Sequence, residues 1–477
     1  MKVTPPDTIA AIATAPGRGA IGIIRVSGPN VPDVAQVLLG TKPAPRHALL
    51  ARFLDADGSA IDEGVALYFP APASFTGEHV LELQGHGGAV VLDLLMQRLL
   101  ALGCRAALAG EFSERAYLNG KIDVTQAEAV ADLIDAGSAA AARAAVRSMR
   151  GEFSAHIDAL QRRLTELRKL TEAAIDFPDE EIDFASDSNL HERLERIFAE
   201  FERIMAAARQ GASLRDGLNV VIGGLPNAGK SSLLNRLTGA PVAIVADLPG
   251  TTRDVLRQSM QVDGLTVNLI DTAGLRSTTD VIEAEGVRRA RAEMTKADLI
   301  LYLVDAAADR EASAVQTGDL GAPHVSAETR GAHARGAIAR GVQARGVPDD
   351  VPLALVFNKI DLLGMPARID VDAHPVEIHL SAKTGEGLDL LRNYLKQLAG
   401  FQGADSGALS ARRRHLDALT RARAHVQQGA ENLRRTRALE LFAEDLRLAQ
   451  EVLSEVTGEF GSEDLLGEIF RSFCIGK

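Results

Sequence analysis

An octapeptide, GLPNAGKS at 224–231, follows the apolar run Leu218, Val220, Val221, Ile222 and precedes the helical pattern Leu233, Leu234, Leu237. This is a G-x-x-x-x-G-K-[ST] loop between a strand and a helix: its glycines let backbone N–H groups close around a β-phosphate, while Lys230 and the Ser231 hydroxyl reach phosphate oxygen and Mg²⁺. Alone, the loop specifies a nucleoside triphosphate and no particular base. The base is specified by NKID at 358–361. Asp361 accepts hydrogen bonds from the N1–H and 2-amino group of guanine, a donor pair that adenine lacks, and unpaired buried polar groups reject the wrong ligand strongly. Asn358 and Lys359 brace the neighbouring loops, and the Ser381, Ala382, Lys383 triplet adds backbone contacts to the base edge. Asn-Lys-x-Asp alone is also an ordinary turn after a strand at 353–357. In the order GLPNAGKS, PGTTRD, DTAG, NKID, SAK, the five stretches spell a guanine-nucleotide site.

The expected nucleotide contacts are Asn227, Ala228, Gly229, Lys230, Ser231 and Ser232 in the first loop, and Ala246, Asp247, Leu248, Pro249, Gly250, Thr251 and Thr252 around PGTTRD. Asp271, Thr272, Ala273 and Gly274 of DTAG join them. Ser231 and Thr252 are the candidate direct Mg²⁺ ligands, with Asp271 acting through water, so that hydrolysis would release both flanking segments. Leu275 follows DTAG, where many small GTPases carry a water-orienting Gln. Glu283 is the candidate to position the nucleophile beside the catalytic Lys230; its alternative is an exposed carboxylate near a helix N-terminus.

The 477 residues accommodate two to four domains, and 46% apolar with 24% charged residues is ordinary for a soluble chain. No apolar run reaches eighteen residues and the first residues lack a signal-peptide pattern, so no membrane association and a cytoplasmic location are expected. Cys104 and Cys474 are too few for a disulfide framework. A net charge of −12 excludes a nucleic-acid binder that works through an overall positive field. A local basic stretch, Arg412, Arg413, Arg414, Arg421, Arg423, Arg434, Arg435 and Arg437, reads either as a solvated helix face or as a phosphate track. Asp176, Asp179, Glu180, Glu181 and Asp183 read as a solvated acidic loop.

The chain is expected to be multidomain. Residues 1–120 form an α/β domain, with strands at 21–26, 65–69 and 79–84 and a helix at 90–100. Gly17, Gly19 and Gly22 spell a lone G-x-G-x-x-G, but a β-branched run follows where a dinucleotide fold needs a helix, so a turn entering a strand is expected. From 121 the periodicity is helical, with Thr125 and Glu128 as a capping-box signature and apolar stripes at Ile157, Leu160, Leu164, Leu167 and at Leu190, Leu194, Ile197, Phe201, Ile204. Apolar runs at 267–270, 299–304, 353–357 and 376–380 alternate with helical stretches within 214–399, implying a parallel sheet covered on both faces, a Ras-like α/β P-loop GTPase domain. Helical periodicity returns over 416–453, so this domain is inserted into a discontinuous all-α domain with halves at 121–213 and 400–477. Within about 306–350, Arg330, Arg335, Arg340 and Arg345, each followed by Gly at five-residue spacing, mark a low-complexity surface insertion.

With IGIIRVSG from Ile21, FTGEHVLELQGHGG from Phe75, GEFSERAYLNGKIDVTQAEAVADLI from Gly110 and the terminal Cys474-Ile-Gly-Lys477, nearly the whole chain resembles the MnmE (TrmE) family of tRNA-modifying GTPases. The resemblance implies that the N-terminal domain dimerises and binds a one-carbon tetrahydrofolate through Arg25, Glu82, Lys121 and Lys477. It also implies a functional thiol at Cys474, against its alternative as a buried hydrophobe beside Phe470, Phe473 and Ile475. It further implies K⁺ in the role of an arginine finger, held by Asn227 and backbone oxygens of Ala246, Leu248 and Thr251; the family usually has Thr at the Ala246 position. The implied activity is wobble-uridine modification of tRNA by a homodimer with the partner MnmG, FAD entering only through that partner. Without the resemblance, Arg25 and Glu82 read as an ion pair between strands, Lys121 as a helix-entry lysine and Lys477 as a frayed end. A regulatory or ribosome-assembly GTPase switch without base chemistry is the alternative function.

Overall fold

A computed structural model describes residues 7–176, 187–224, 227–237, 257–262, 264–271, 297–308, 351–399, 407–458, 469–470, 473 and 476. These residues fall into two compact units, one within Met1–Asp135, Ala145–Ala206 and Leu409–Lys477, the other within Ala136–Ala144 and Ala207–Ala408.

The first unit opens with β1 (Ile9–Ile12), β2 (Gly19–Ser27), α1 (Val31–Leu39), β3 (Leu49–Leu54), β4 (Ala60–Phe69), β5 (Val80–Gly87), α2 (Ala89–Ala101) and β6 (Arg105–Ala106). The sheet order is β3-β4-β5-β2-β1-β6, antiparallel except for the β1–β6 pair. Strand alternation decides its two faces. Ile24, Val26, Leu81, Leu83 and Phe53 bury one face against Val34 and Leu38 of α1 and Leu95 and Leu99 of α2. Arg25, Ile23, Glu82 and Gln84 alternate with them and stay half-buried. The G-x-G-x-x-G is indeed the entry to β2: the strand begins at Gly19, and a Cβ on Gly22 would meet Leu92 at 2.7 Å, so this glycine lets α2 close on the sheet.

The helices follow as α3 (Glu111–Leu118), α4 (Val124–Ile134), α5 (Ala139–Met149), α6 (Glu152–Asp176) and α7 (Asp187–Asp216). The expected stripes are buried at Ile157, Leu160, Leu164 and Leu167 on α6 and at Leu194, Ile197, Phe201 and Ile204 on α7, with Leu190 at the start of α7 half-buried. The capping box of α4 differs from the expected one. Asp123 is the cap, accepting from the Gln126 N–H while the Gln126 side chain accepts from the Asp123 N–H. Asp precedes the apolar periodicity by one residue, and Thr125 instead donates its hydroxyl to Asp123.

Glu128 is thereby released for another role. It lies buried beneath α10 (Arg413–Thr436) and α11 (Leu439–Thr457), the last two helices of this unit. Arg414 grips both its oxygens, Nε to Oε1 at 2.9 Å and Nη2 to Oε2 at 2.8 Å, and also donates to the Glu455 carbonyl. Arg412 pairs with Asp132, which the Ser410 hydroxyl also reaches at 2.6 Å. His415 Nε2 stands 2.9 Å from Glu128 Oε2, poorly aligned for a hydrogen bond, while its Nδ1 accepts the Arg412 N–H. Arg421 is held by Asp417 and Glu455, and Arg423 by Glu202. Four of the eight basic residues expected to form a solvated face or phosphate track are therefore spent inside the unit, Arg412 and Arg414 half-buried.

The second unit contains β7 (Leu218–Gly224), α8 (Lys230–Leu237), β8 (Arg257–Val262), β9 (Leu265–Asp271), β10 (Leu299–Asp305), β11 (Leu353–Asn358), β12 (Arg368–Asp370), β13 (Val376–His379) and α9 (Leu388–Leu398). Its seven strands run β12-β13-β11-β10-β7-β9-β8, parallel through β13 to β9 with antiparallel strands at both edges. Continuous apolar runs suit strands buried on both faces. Val220, Ile222, Leu301 and Val356 pack with Leu233 of α8 and Leu391 of α9, while Leu355 and Phe357 pack on the other side with Tyr302 and Val304. This is the Ras-like fold. The acidic stretch 179–183 and the arginine–glycine segment 330–346 lie outside the described residues.

Candidate functional site

The loops at the carboxyl ends of β7, β11 and β13 are drawn together by one buried amide. Asn358 donates from Nδ2 to the Ala228 carbonyl of the phosphate loop at 2.8 Å, and its Oδ1 accepts the Ala382 N–H at 2.9 Å and the Lys359 N–H at 2.8 Å. Phosphate loop, NKID and SAK are thus laced through a single side chain, the bracing expected of Asn358. The closeness has a local requirement: Gly229 has φ +95°, and a Cβ there would sit 2.2 Å from Asn358 Nδ2. Gly224, at φ +144°, likewise lets β7 turn out of the sheet beside the Leu303 carbonyl.

Lys359 adopts φ +69°, rare for a residue with a side chain, and its ammonium meets Asp305 at 2.6 Å. Burial works to raise the Asp305 carboxyl, but the Lys359 hydrogen bond and the amides of Ala307 and Ala308 outweigh it and hold it below its ordinary range. Asp305 was not among the expected residues. Its signal was an acid ending an apolar strand in register with Asn358. Asp361, half-buried, accepts the Ser381 hydroxyl at Oδ1 at 2.6 Å, and Ser381 Oγ accepts the Thr384 N–H at 3.1 Å. Ser381 thus contributes a side chain as well as backbone. Each carboxylate oxygen has two lone pairs, so Asp361 keeps acceptor capacity for two base N–H groups. Lys383 is exposed.

On the phosphate side, Lys230 Nζ donates to the Gly224 carbonyl at 2.9 Å, folded back over the loop. Ser231 and Ser232 are exposed in the first turn of α8, and Asn227 is exposed at φ +63°. Backbone amides and the positive end of α8 face the same loop, the environment that favours phosphate. Asp271 ends β9 one strand away from the loop. Ala246, Asp247, Leu248, Pro249, Gly250, Thr251, Thr252, Thr272, Ala273, Gly274 and Glu283 lie outside the described residues.

In the first unit, Arg25 and Glu82 face each other across β2 and β5, and the guanidinium donates from Nε and Nη2 to Oε1 at 3.0 and 2.9 Å. Arg25 also lies over the Phe112 ring, 5.8 Å from its centroid. Lys121 is exposed and donates to the Pro72 carbonyl at 3.0 Å. The C-terminal segment is seated on this unit. Ile469, Phe470 and Phe473 pack with Val124, Ala127 and Ala131 of α4, and a Cβ on Gly110 would sit 2.3 Å from the Phe470 carbonyl. Gly476 stands against Ile12 and Ala13, one strand position beyond Ala11, the partner of Arg25. Cys474 and Lys477 lie outside the described residues. Cys104 is a buried hydrophobe whose thiol is pushed up to about 11 by burial, which removes it from thiolate chemistry.

The Ras-like sheet and the loops laced through Asn358 define a P-loop GTPase of the guanine-specific class. Residues 8–121 match the family model described as "GTP-binding protein TrmE N-terminus", and residues 124–474 match "MnmE helical domain". The chain is 54% identical over 471 residues to the tRNA modification GTPase MnmE of Methylococcus capsulatus, covering 99% of each. It is 55% identical over 472 residues to that of Thiobacillus denitrificans, covering 99% of this chain and 98% of the relative. The chain belongs to the MnmE (TrmE) family of tRNA modification GTPases. No described helix is long and apolar enough to cross a membrane.

Proposed function

We propose that this chain hydrolyses GTP in a K⁺-stimulated cycle of G-domain pairing and, as a homodimer with the FAD-dependent partner MnmG, installs an aminomethyl-type group at C5 of the wobble uridine of tRNA. The observation that carries this is Gly476 standing against Ile12 and Ala13, on the strand paired with the one that holds Arg25. A pure nucleotide switch has no use for such a constellation. Arg25, Lys121 and Lys477 suit the glutamyl carboxylates of a tetrahydrofolate, and Glu82 accepts from pterin amino and ring N–H groups. Arg25 and Glu82 fit this role because the pair is half-buried on the sheet face away from α1 and α2, where a ligand can exchange partners with it. Folate supplies the carbon; glycine or ammonium supplies the amine. Cys474 is the candidate functional thiol near that centre.

In the nucleotide unit, Lys230 and the loop amides bind the phosphates, Ser231 and Thr252 hold Mg²⁺, and Asp361 reads guanine. Glu283 orients the attacking water. The exposed Asn227 in the phosphate loop, with backbone oxygens of Ala246, Leu248 and Thr251, suits a monovalent cation. Such a cation neutralises charge developing between the β- and γ-phosphates, as an arginine finger does elsewhere. GTP turnover should therefore be at least about tenfold faster in KCl than in NaCl, a conservative fraction of what an arginine finger contributes; equal rates would remove the cation site.

The function itself is tested by deleting residues 474–477. Loss of tRNA modification with GTP hydrolysis intact is expected. Intact modification would leave the regulatory-switch alternative in its place.

A further inference from the structure

Where the chain leaves the nucleotide unit it is gripped from two helices. That unit closes at Ala408, and the chain re-enters the first unit at Leu409. Ser410 donates its hydroxyl to Asp132 Oδ2 of α4 at 2.6 Å, and its carbonyl accepts the Ser148 hydroxyl of α5 at 3.2 Å. Two residues on, Arg412 donates from Nη2 to the other Asp132 oxygen at 3.1 Å. Ser148, Ser410 and Asp132 are all buried. α5 is itself a crossing of the chain: Ala139–Ala144 belong with the nucleotide unit and Ala145–Met149 with the first.

α4 carries two adjacent stripes. Val124, Ala127 and Ala131 seat Ile469, Phe470 and Phe473 of the C-terminal segment. Glu128 and Asp132 each follow a residue of that stripe by one position, about 100° round the helix, and hold the incoming chain: Glu128 takes Arg414, and Asp132 takes Ser410 and Arg412. The helix has 11 residues, about three turns, and moves as one body, so a displacement at one stripe reaches the other. Fastening alone does not call for this chemistry, because well-packed apolar side chains hold helices together at least as firmly as a buried ionic network. What buried polar bonds add is discreteness: leaving one unmade is costly, which separates a closed arrangement from an open one.

We propose that this clamp couples nucleotide state to the carbon-transfer centre, an inference that rests on the tetrahydrofolate reading above and names the route by which the nucleotide unit reaches that centre. A pull on residues 409–412 from the nucleotide unit breaks or makes the bonds of Ser410 to Asp132 and Ser148. α4 carries the change to the C-terminal segment seated on its neighbouring stripe. Ser148 and Ser410 are positioning residues that act through α4.

The test titrates full-length protein with 5-formyltetrahydrofolate in Mg²⁺ and KCl, once with GDP and once with a non-hydrolysable GTP analogue. For the wild type the two affinities should differ by at least about fivefold, the lower end of ordinary allosteric coupling. S410A and S148A each delete one bond of the clamp without adding charge. Each should lower the ratio, and the double variant should bring it close to one, with folate affinity in GDP retained and GTP hydrolysis in the absence of folate unchanged. tRNA modification with the partner should fall as the ratio falls. A clamp that only fastens the helices would weaken folate binding alike in both nucleotide states and leave the ratio standing. A double variant that keeps the wild-type ratio, or a wild-type ratio of one, overturns the proposal. Wild-type protein that binds the folate in neither nucleotide state overturns the underlying tetrahydrofolate reading instead.

Discussion

Asp361→Asn is expected to weaken GTP binding about 10³-fold and to confer binding of xanthosine triphosphate. Two charge-assisted hydrogen bonds from the guanine N1–H and 2-amino group are each worth about 1.5–3 kcal/mol, and an amide nitrogen set against a donor adds an unsatisfied group. Xanthine replaces the 2-amino group by a carbonyl, which the new amide can meet as a donor. Ser381 keeps the loop in place, because its hydroxyl can donate to the Asn oxygen as it now does to Asp361 Oδ1 at 2.6 Å. Equilibrium titration with both nucleotides checks the result; unchanged GTP affinity would remove Asp361 from base recognition.

Glu128→Gln should destabilise the first unit by roughly 3 kcal/mol near neutral pH, because it leaves the half-buried Arg414 guanidinium without its buried counter-charge, while Arg412 keeps Asp132. The pH dependence has a definite sign. Burial opposes ionisation of Glu128, and His415 and Arg414 outweigh it, holding the carboxyl well below the usual carboxylate range. Its contribution is complete above the unfolded value of about 4.3 and disappears as pH falls through the folded value. The gap between wild type and variant should therefore narrow only below about pH 4.3. His415 acts in the same direction from higher pH. Burial keeps its imidazole neutral, so its contribution is present above the unfolded value of about 6.5 and declines as pH falls. Denaturant unfolding followed by helical circular dichroism at several pH values measures both; a variant within about 1 kcal/mol of wild type would show the cluster to be dispensable.

Much of the nucleotide unit was legible because its signals are local. Strands β9, β10, β11 and β13 announced themselves as apolar runs, and the motifs ending them fixed the site. The edge strands β8 and β12 were not legible, since a strand with one open side needs no continuous apolar run. The same holds for the edge strand β3, and β1 is only four residues long, too short to show a period. The capping box of α4 shows a subtler limit. Thr125 and Glu128 fit the cap pattern, but Asp123 and Gln126 fit it two residues earlier, and Glu128 instead pairs with Arg414, 286 residues away. The basic stretch was ambiguous for the same reason: whether Arg412 and Arg414 face water or Glu128 depends on a tertiary contact that charge composition does not carry.

The most direct measurement of the central claim, that the nucleotide unit drives carbon transfer at a separate centre, is tRNA modification by the Asp361→Asn protein supplied with either GTP or xanthosine triphosphate. Modification should fail with GTP and return with xanthosine triphosphate. Full modification with GTP, or none with the xanthine nucleotide despite its binding and hydrolysis, would contradict it.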